Sequence, residues 1–307
     1  MKKSSTNNPI ATICIPATDW DESLLRCLDS LNNQSIKQFK IVIILRNKLK
    51  ILKKNLHKYS FPISIIVQKK HGLVSAMNLG LENTKSDLFI RIDDDVVCDA
   101  EWFNNIRKPF ENPHVGGVTG PTIVPETHLN NRPILKFIKQ IISNKNIFLM
   151  PFKKLYMDFL YEGKIFNVST FVESGNFTFG SNFESSIPNS EKIVDNLEAC
   201  NFAVRTKILK KLGGFDPIFS EGLGEYHEAD IAMKVRKAGY VLIFHPGAFV
   251  KHLVQPIKLR GDAYGRLLNF MIFYRRYFHI KNPRIFAKFL LNVTIQSCYH
   301  IMTFIKT

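Results

Sequence analysis

The sequence predicts an α/β fold: a mostly parallel sheet flanked by helices on both faces, followed by a helical tail. Three observations carry this. Short apolar strands alternate with amphipathic helices through the first 125 residues. Each such strand runs straight into polar or small residues, as parallel strands do at the edge of a covered sheet. After about residue 255 the composition changes to aromatic and basic.

The elements follow in order. Residues 1–9 are polar (Met-Lys-Lys-Ser-Ser-Thr-Asn-Asn-Pro) and are expected to be disordered. Residues 11–15 form a first apolar strand. Residues 23–31 carry Leu24, Leu25, Leu28 and Leu31 at helical spacing. Residues 41–45 and 63–67 are two more apolar strands, 73–81 a helix, and 87–92 a fourth strand. Beyond them, 134–142 suits a helix, and 173–186, rich in Ser, Asn, Gly and Phe, reads as a loop or irregular hairpin. Helices are predicted over 205–212, stopped by Gly213-Gly214, and over 228–238, stopped by Gly239. Residues 240–244 close the pattern as a strand. This gives an α/β domain over 10–255 and a tail over 256–307, which holds nine basic residues and one acid, Asp262. Basic helices interleaved with aromatics can lie on an anionic bilayer, or pack back onto the domain.

The chain has 307 residues and a formal charge of +16, a field that draws anions such as nucleotide diphosphates or an acidic membrane face. Nucleic acid is not expected, because no zinc-finger spacing, helix-turn-helix signature or RNA-binding aromatic motif is present. The five cysteines are scattered and no pair has metal spacing, which points to a reducing cytoplasm. No run of eighteen apolar residues suggests a spanning helix.

Three consecutive carboxylates, Asp93-Asp94-Asp95, close the fourth strand. Like charges crowded at a strand end cost stability, and a divalent cation removes that cost. Mg2+ or Mn2+ prefers such oxygen ligands and bridges them to a diphosphate. Asp95 leads as metal ligand, with Asp93 beside it; Asp93 or Asp94 would accept a hydrogen bond from a ribose hydroxyl. His252, just after a late apolar segment, is a further metal candidate, although a lone histidine is often structural. Glu228 and Asp230 sit at the start of a predicted helix. Acids there complement the helix dipole, and one within reach of an acceptor hydroxyl also serves as a general base. Glu228 is the candidate base, with Asp230 supporting or substituting. The loop Pro16-Ala17-Thr18-Asp19 leaves the first strand toward the same crevice, so Pro16, Thr18 and Asp19 are candidate nucleotide contacts. Asn78, within Gly72-Leu-Val-Ser-Ala-Met-Asn78-Leu-Gly80, is another, although helix packing explains that run equally well.

Taken in order, these segments resemble the family 2 glycosyltransferases, inverting enzymes of the Rossmann-like GT-A fold. The resemblance rests on Ile15-Pro16, Cys27-Leu28-Asp29-Ser30-Leu31, the Gly72–Gly80 run and Asp93-Asp94-Asp95 as an Asp-x-Asp motif. It continues through Asn201-Phe-Ala-Val-Arg205, Gly213-Gly-Phe-Asp216, His227-Glu228-Ala229-Asp230-Ile231, Ala238-Gly239-Tyr240 and His252. It spans about residues 10–255. It implies a nucleoside-diphosphate sugar donor, a divalent cation and a hydroxyl acceptor, such as a polysaccharide, glycolipid, glycoprotein glycan or lipid-linked glycan. It also implies donor contacts at Asn201 and Arg205, and at Arg46, which stands in Leu45-Arg46-Asn47 where the family often has a base-contacting Asp. The family's Glu-Asp pair is His227-Glu228 here, a base one methylene longer. The enzyme is expected in the cytoplasm or peripherally at the cytoplasmic face of a membrane.

Two rivals stand beside this reading. A nucleotidyltransferase shares such a sheet and acidic site but releases pyrophosphate, and its Gly-rich, Lys-containing opening loop is absent. A non-catalytic sugar-nucleotide-binding module would bind donor without turnover; the Asp triplet and Glu228 argue against it.

Overall fold

The structure, a computed structural model, describes residues 9–46, 53–70, 72–143, 146–255 and 262–305. The polar 1–8 segment and the head of the tail, 256–261, lie outside the described residues.

Helices and strands alternate as the apolar periodicity requires. The chain runs β1 (Ala11–Ala17), α1 (Glu22–Asn32), β2 (Phe39–Leu45), β3 (Ile63–Val67), α2 (Leu73–Glu82) and β4 (Leu88–Ile92). Next come β5 (Val96–Cys98), α3 (Trp102–Arg107), β6 (Val115–Thr119), β7 (Thr122–Ile123), α4 (Pro133–Ser143) and α5 (Met150–Lys154). Then follow β8 (Lys192–Val194), β9 (Asn201–Arg205), α6 (Thr206–Lys211), α7 (His227–Lys237), β10 (Val241–Phe244), β11 (Val250–His252), α8 (Asp262–Tyr277) and α9 (Pro283–Ile305). Asp21 caps α1, its side chain accepting from the Ser23 and Leu24 amides.

The main sheet has eight strands in the order β3-β2-β1-β4-β9-β6-β10-β8. β1, β2, β3 and β4 are parallel neighbours, as the alternating pattern predicts. β9 is antiparallel to both β4 and β6. The sequence reading placed no strand there, because Asn201–Arg205 offers a single pleat of apolar residues and runs directly into a helix. A second sheet, β5-β11-β7, stands beyond the end of β4.

Two apolar layers cover the main sheet. One holds Ile13, Ile15, Ile41, Ile90 and Trp102. The other holds Cys14, Phe89, Phe202, Ala229, Phe270 and Phe273. Gly80 lets α2 close onto β1, because a Cβ there would fall on the Cys14 sulfur. The tail shares this second layer. Phe270 and Phe273 of α8 are fully buried against Tyr226, and Lys288 of α9 is buried between Glu162 (3.0 Å) and Glu173 (2.6 Å). Part of the tail's aromatic and basic content thus packs against the domain. Among the described residues no helix is long and apolar enough to cross a membrane.

Candidate active site

The register of β4 organises the site. Side chains alternate along a strand, so Phe89 and Arg91 face the layer that holds α7. Arg91 is buried, and its guanidinium donates to Asp93 Oδ1 at 2.6 Å and to the Ala199 carbonyl. The β4–β9 ladder pairs Ile92 with Asn201, which sets Cys200 across from Asp93. The second sheet brings in the histidine. β5 pairs with β11 so that Val96 faces His252, and the next residues are tied as well: the Leu253 amide donates to the Asp95 carbonyl at 2.8 Å. His252 Nε2 lies 3.1 Å from Asp95 Oδ1, and its Nδ1 lies 3.5 Å from Cys200 Sγ. Ligand atoms of Asp93, Cys200 and His252 all fall within 4.8 Å of one another. Residues 107 and 159 positions apart from Asp93 therefore meet at one strand end.

The electrostatics of this corner are those of a site short of positive charge. Burial, with repulsion from Asp95 and Asp93, pushes Asp94 up to about 8. Burial works against a charge on His252, but Cys200 and Asp95 more than offset it and push its pKa up to about 10. Asp95 is held below the usual carboxylate range, since burial is outweighed by His252, the Gln255 amide and the charge of Arg132. A divalent cation fits this corner, where the carboxylates of Asp93 and Asp95 and the His252 imidazole stand beside the Cys200 thiol.

α7 supplies the second half. Tyr226, just before it, has φ of 71°, a left-handed conformation that costs a bulky residue energy. Its ring is locked among Phe177, Phe270 and Phe273, which hold the turn in place. His227 Nδ1 donates to the Gly224 carbonyl at 2.6 Å, and burial drives its pKa down to about 3, so it is neutral. Its contact with Glu228 Oε2 at 3.1 Å is therefore no ion pair, and that oxygen makes no hydrogen bond. Burial pushes Glu228 up to about 7, with Arg91 opposing and Glu225 and Glu198 adding to the rise. The charge of Arg91 thus acts on Glu228 while its guanidinium is bonded to Asp93.

Other predicted residues fall out differently. Pro16, Thr18 and Asp19 leave the C-terminal end of β1, Thr18 being exposed, and Arg46 follows β2 beside them, its amide donating to the Ala17 carbonyl. Asp21, in the same loop as Asp19, adds to the repulsion on Asp94, so this loop borders the acidic corner. Asn78 does not face it. Its side chain bonds both the Phe215 amide (2.9 Å) and the Phe215 carbonyl (2.7 Å), joining α2 to the turn after α6. Arg205 pairs with Leu88, at the far end of β4 from Asp93, and its guanidinium is taken by the carbonyls of Phe110, Asn112 and Val115. Asn201 is fully buried, accepting from Trp102 Nε1 and donating to Pro121 and Ala248 carbonyls. Asp230 is fully buried and committed to Arg276, Tyr277 and Lys234. These four secure the fold around the site.

Glu225 and three residues with no sequence signal, Glu198, Arg132 and Arg266, also belong here. Glu198 accepts from Ser169 at 2.7 Å, and burial raises its pKa, as burial raises that of Glu225. Arg132 acts on Asp95, Glu198 and Glu225, and Arg266 on Glu225 and Tyr226. Glu225 carries a local signal, an acid three residues before Glu228. The other three come from distant elements with no motif around them.

The family model described as Glycosyl transferase family 2 matches residues 12–172, which includes the Asp triplet but stops short of Glu228 and His252. Among solved structures, the mannosyltransferase PcManGT from Pyrobaculum calidifontis, in complex with GDP-Man and Mn2+, is 14% identical with a TM-score of 0.54. The match covers 97% of this chain and 72% of that one. GalNAc-T7 with UDP, GalNAc and Mn2+ is 14% identical with a TM-score of 0.59, covering 88% of this chain and 48% of that one. TarS from S. aureus is 12% identical with a TM-score of 0.52, covering 91% and 42%. The chain thus spans about half or less of the latter two. No curated protein matches it in sequence. At these identities the structural likeness is one of fold, GT-A, while the family match covers more than half the chain and carries the assignment: this protein is a glycosyltransferase belonging to glycosyl transferase family 2.

Proposed function

We propose that the enzyme moves a sugar from a nucleoside-diphosphate sugar to an acceptor hydroxyl with inversion at the anomeric carbon, using Glu228 as general base. The observation that carries this is Glu228 itself: a buried carboxylate with one oxygen free of hydrogen bonds, pushed up to about 7 and lying in the field of the arginine that holds Asp93. A base with a pKa near the working pH removes a hydroxyl proton as the oxygen attacks. Attack from the face opposite the leaving group inverts the centre in one displacement, with no covalent enzyme intermediate.

Asp95, Asp93 and His252 would hold Mg2+ or Mn2+, and His252 would give up its proton to do so. The cation, when bound, offsets the negative charge that builds on the departing diphosphate. Arg132, whose charge reaches Asp95, Glu198 and Glu225, adds a fixed positive charge on the same side. Asp94, kept protonated near neutral pH by burial and its neighbours, can donate to a ribose or phosphate oxygen as well as accept. Pro16, Thr18, Asp19 and Arg46, at the ends of β1 and β2, border the space for the nucleoside. The acceptor class is a polysaccharide, glycolipid, glycoprotein glycan or lipid-linked glycan. The buried free thiols Cys14, Cys27, Cys98 and Cys200 suit a reducing cytoplasm.

The test is a panel of UDP-, GDP-, TDP- and CMP-sugars with Mn2+ or Mg2+, read by thermal shift and then by product analysis. Release of a nucleoside diphosphate, with slow donor hydrolysis lost in Glu228→Gln, supports the reading. Release of pyrophosphate would establish a nucleotidyltransferase instead. Donor binding with neither transfer nor hydrolysis would leave a binding module.

A further inference from the structure

Six of the 14 large apolar side chains exposed among the described residues fall between positions 137 and 155: Phe137, Phe148, Leu149, Met150, Phe152 and Leu155. Phe148 is 87% exposed. The rings of Phe137 and Phe152 meet edge to face at 6.2 Å, so α4 and α5 lie side by side, and an open groove of about 600 Å³ runs between them. Soluble surfaces rarely gather apolar side chains in this way without a partner.

The charge on this stretch is mostly positive. From 132 to 158 the sequence holds six bases (Arg132, Lys136, Lys139, Lys145, Lys153 and Lys154) and one acid, Asp158, which lines the groove. Lys139 is paired with Glu126. Apolar side chains flanked by bases match the interface of an anionic bilayer, where rings enter the acyl boundary and lysines stay among headgroups. A second copy of the chain is a poor occupant, because the same bases would face each other. The basic, aromatic tail, the other candidate for this role, buries Phe270, Phe273 and Lys288 within the protein. The patch also lies close to the chemistry, since α4 begins directly after Arg132, whose charge acts on Asp95 and Glu225.

We propose that the outer faces of α4 and α5 dock the enzyme on an anionic phospholipid bilayer. The inference goes beyond the transfer reaction and does not depend on it. The experiment is flotation of the full chain with phosphatidylcholine vesicles, with and without phosphatidylglycerol. Binding is expected only to the anionic vesicles and to weaken with salt. Phe148→Asp with Leu149→Asp should weaken it at least about tenfold, as should Lys153→Glu with Lys154→Glu. Ile193→Asp, on β8 and 74% exposed, should bind as the native chain does. All variants should melt as the native protein does. Absence of flotation by the native chain overturns the proposal. So does loss of binding in Phe286→Asp with Leu290→Asp on α9 while the Phe148/Leu149 and Lys153/Lys154 variants still bind. A native dimer that the Phe148 variant dissolves, with no flotation, would assign the patch to self-association and overturn it equally.

Discussion

Arg276 of α8 reaches the fully buried Asp230 of α7, its Nη1 donating to Oδ1 at 2.7 Å, two residues along the helix from Glu228. Tyr277 donates to the same oxygen at 2.6 Å, and Arg276 also binds Asp216. The tail therefore braces the helix that carries Glu228. Arg276→Ala should destabilise the protein by about 2 kcal/mol, the range for a charge-assisted bond lost at a buried carboxylate. It should also lower kcat more than it raises donor KM, because α7 shifts while the acidic corner stays. Urea unfolding and steady-state kinetics check this. Unchanged stability would mean that Lys234 and Tyr277 alone satisfy Asp230.

Glu228→Gln should reduce transfer by about 10²- to 10⁴-fold, the usual range for a general base, with donor binding retained. In the native enzyme kcat/KM should rise with pH and level off above about 7, as Glu228 loses its proton. Stability should move the other way. The folded protein holds this proton more tightly than the unfolded chain does, since the pKa is pushed from 4.5 to about 7. The resulting penalty is absent below about pH 4.5, grows up to about 7 and is then constant. Glu228→Gln should therefore stabilise the fold by up to about 3 kcal/mol at pH 8 and by almost nothing at pH 4. Denaturation at the two pH values reads this difference, and a variant that is less stable at pH 8 would contradict a carboxylate raised by burial.

The parts of this architecture that were legible in the sequence are those with local causes. β1 through β4, α1 and α2 announce themselves through apolar runs and helical spacing, and Asp93-Asp94-Asp95 through the oddity of three acids after a buried strand. The small sheet that carries His252 to Asp95 was not legible, because β5, β7 and β11 are two or three residues long and exist only through one another. Asn78, Arg205 and Asn201 show the converse problem. A motif reveals which polar residues matter, but a side chain that binds Phe215 backbone and one that binds a nucleotide look alike until the fold is closed. Cys200 reads as an isolated thiol until β9 lies against β4.

The acidic corner should respond to metal chelation and to each proposed ligand. EDTA should abolish transfer, with Mn2+ or Mg2+ restoring it. Asp95→Asn should raise the metal concentration needed for half-maximal activity by at least about tenfold, since it removes a carboxylate ligand and the partner of His252 together. His252→Ala should do so to a smaller degree. Titration of metal into each variant, followed by thermal shift in the absence of donor, separates lost metal binding from lost chemistry. Equal metal affinity in both variants and the native protein would remove these two residues from the cation site.

Asn78 offers a test in which structure and motif disagree. Its amide closes a pair of hydrogen bonds with the amide and carbonyl of Phe215, and a Cβ on Gly214 would crowd the same side chain. Asn78→Ala leaves both Phe215 groups without a partner, at a cost of about 1–3 kcal/mol each if they stay dry. Phe215 packs on Phe89, Phe202 and the His227 ring, so the disturbance would reach α7 from below rather than from the crevice. Asn78→Ala should therefore lower the unfolding midpoint and depress kcat modestly while leaving donor KM unchanged. A donor KM raised about tenfold or more, with stability intact, would instead place Asn78 against the nucleotide.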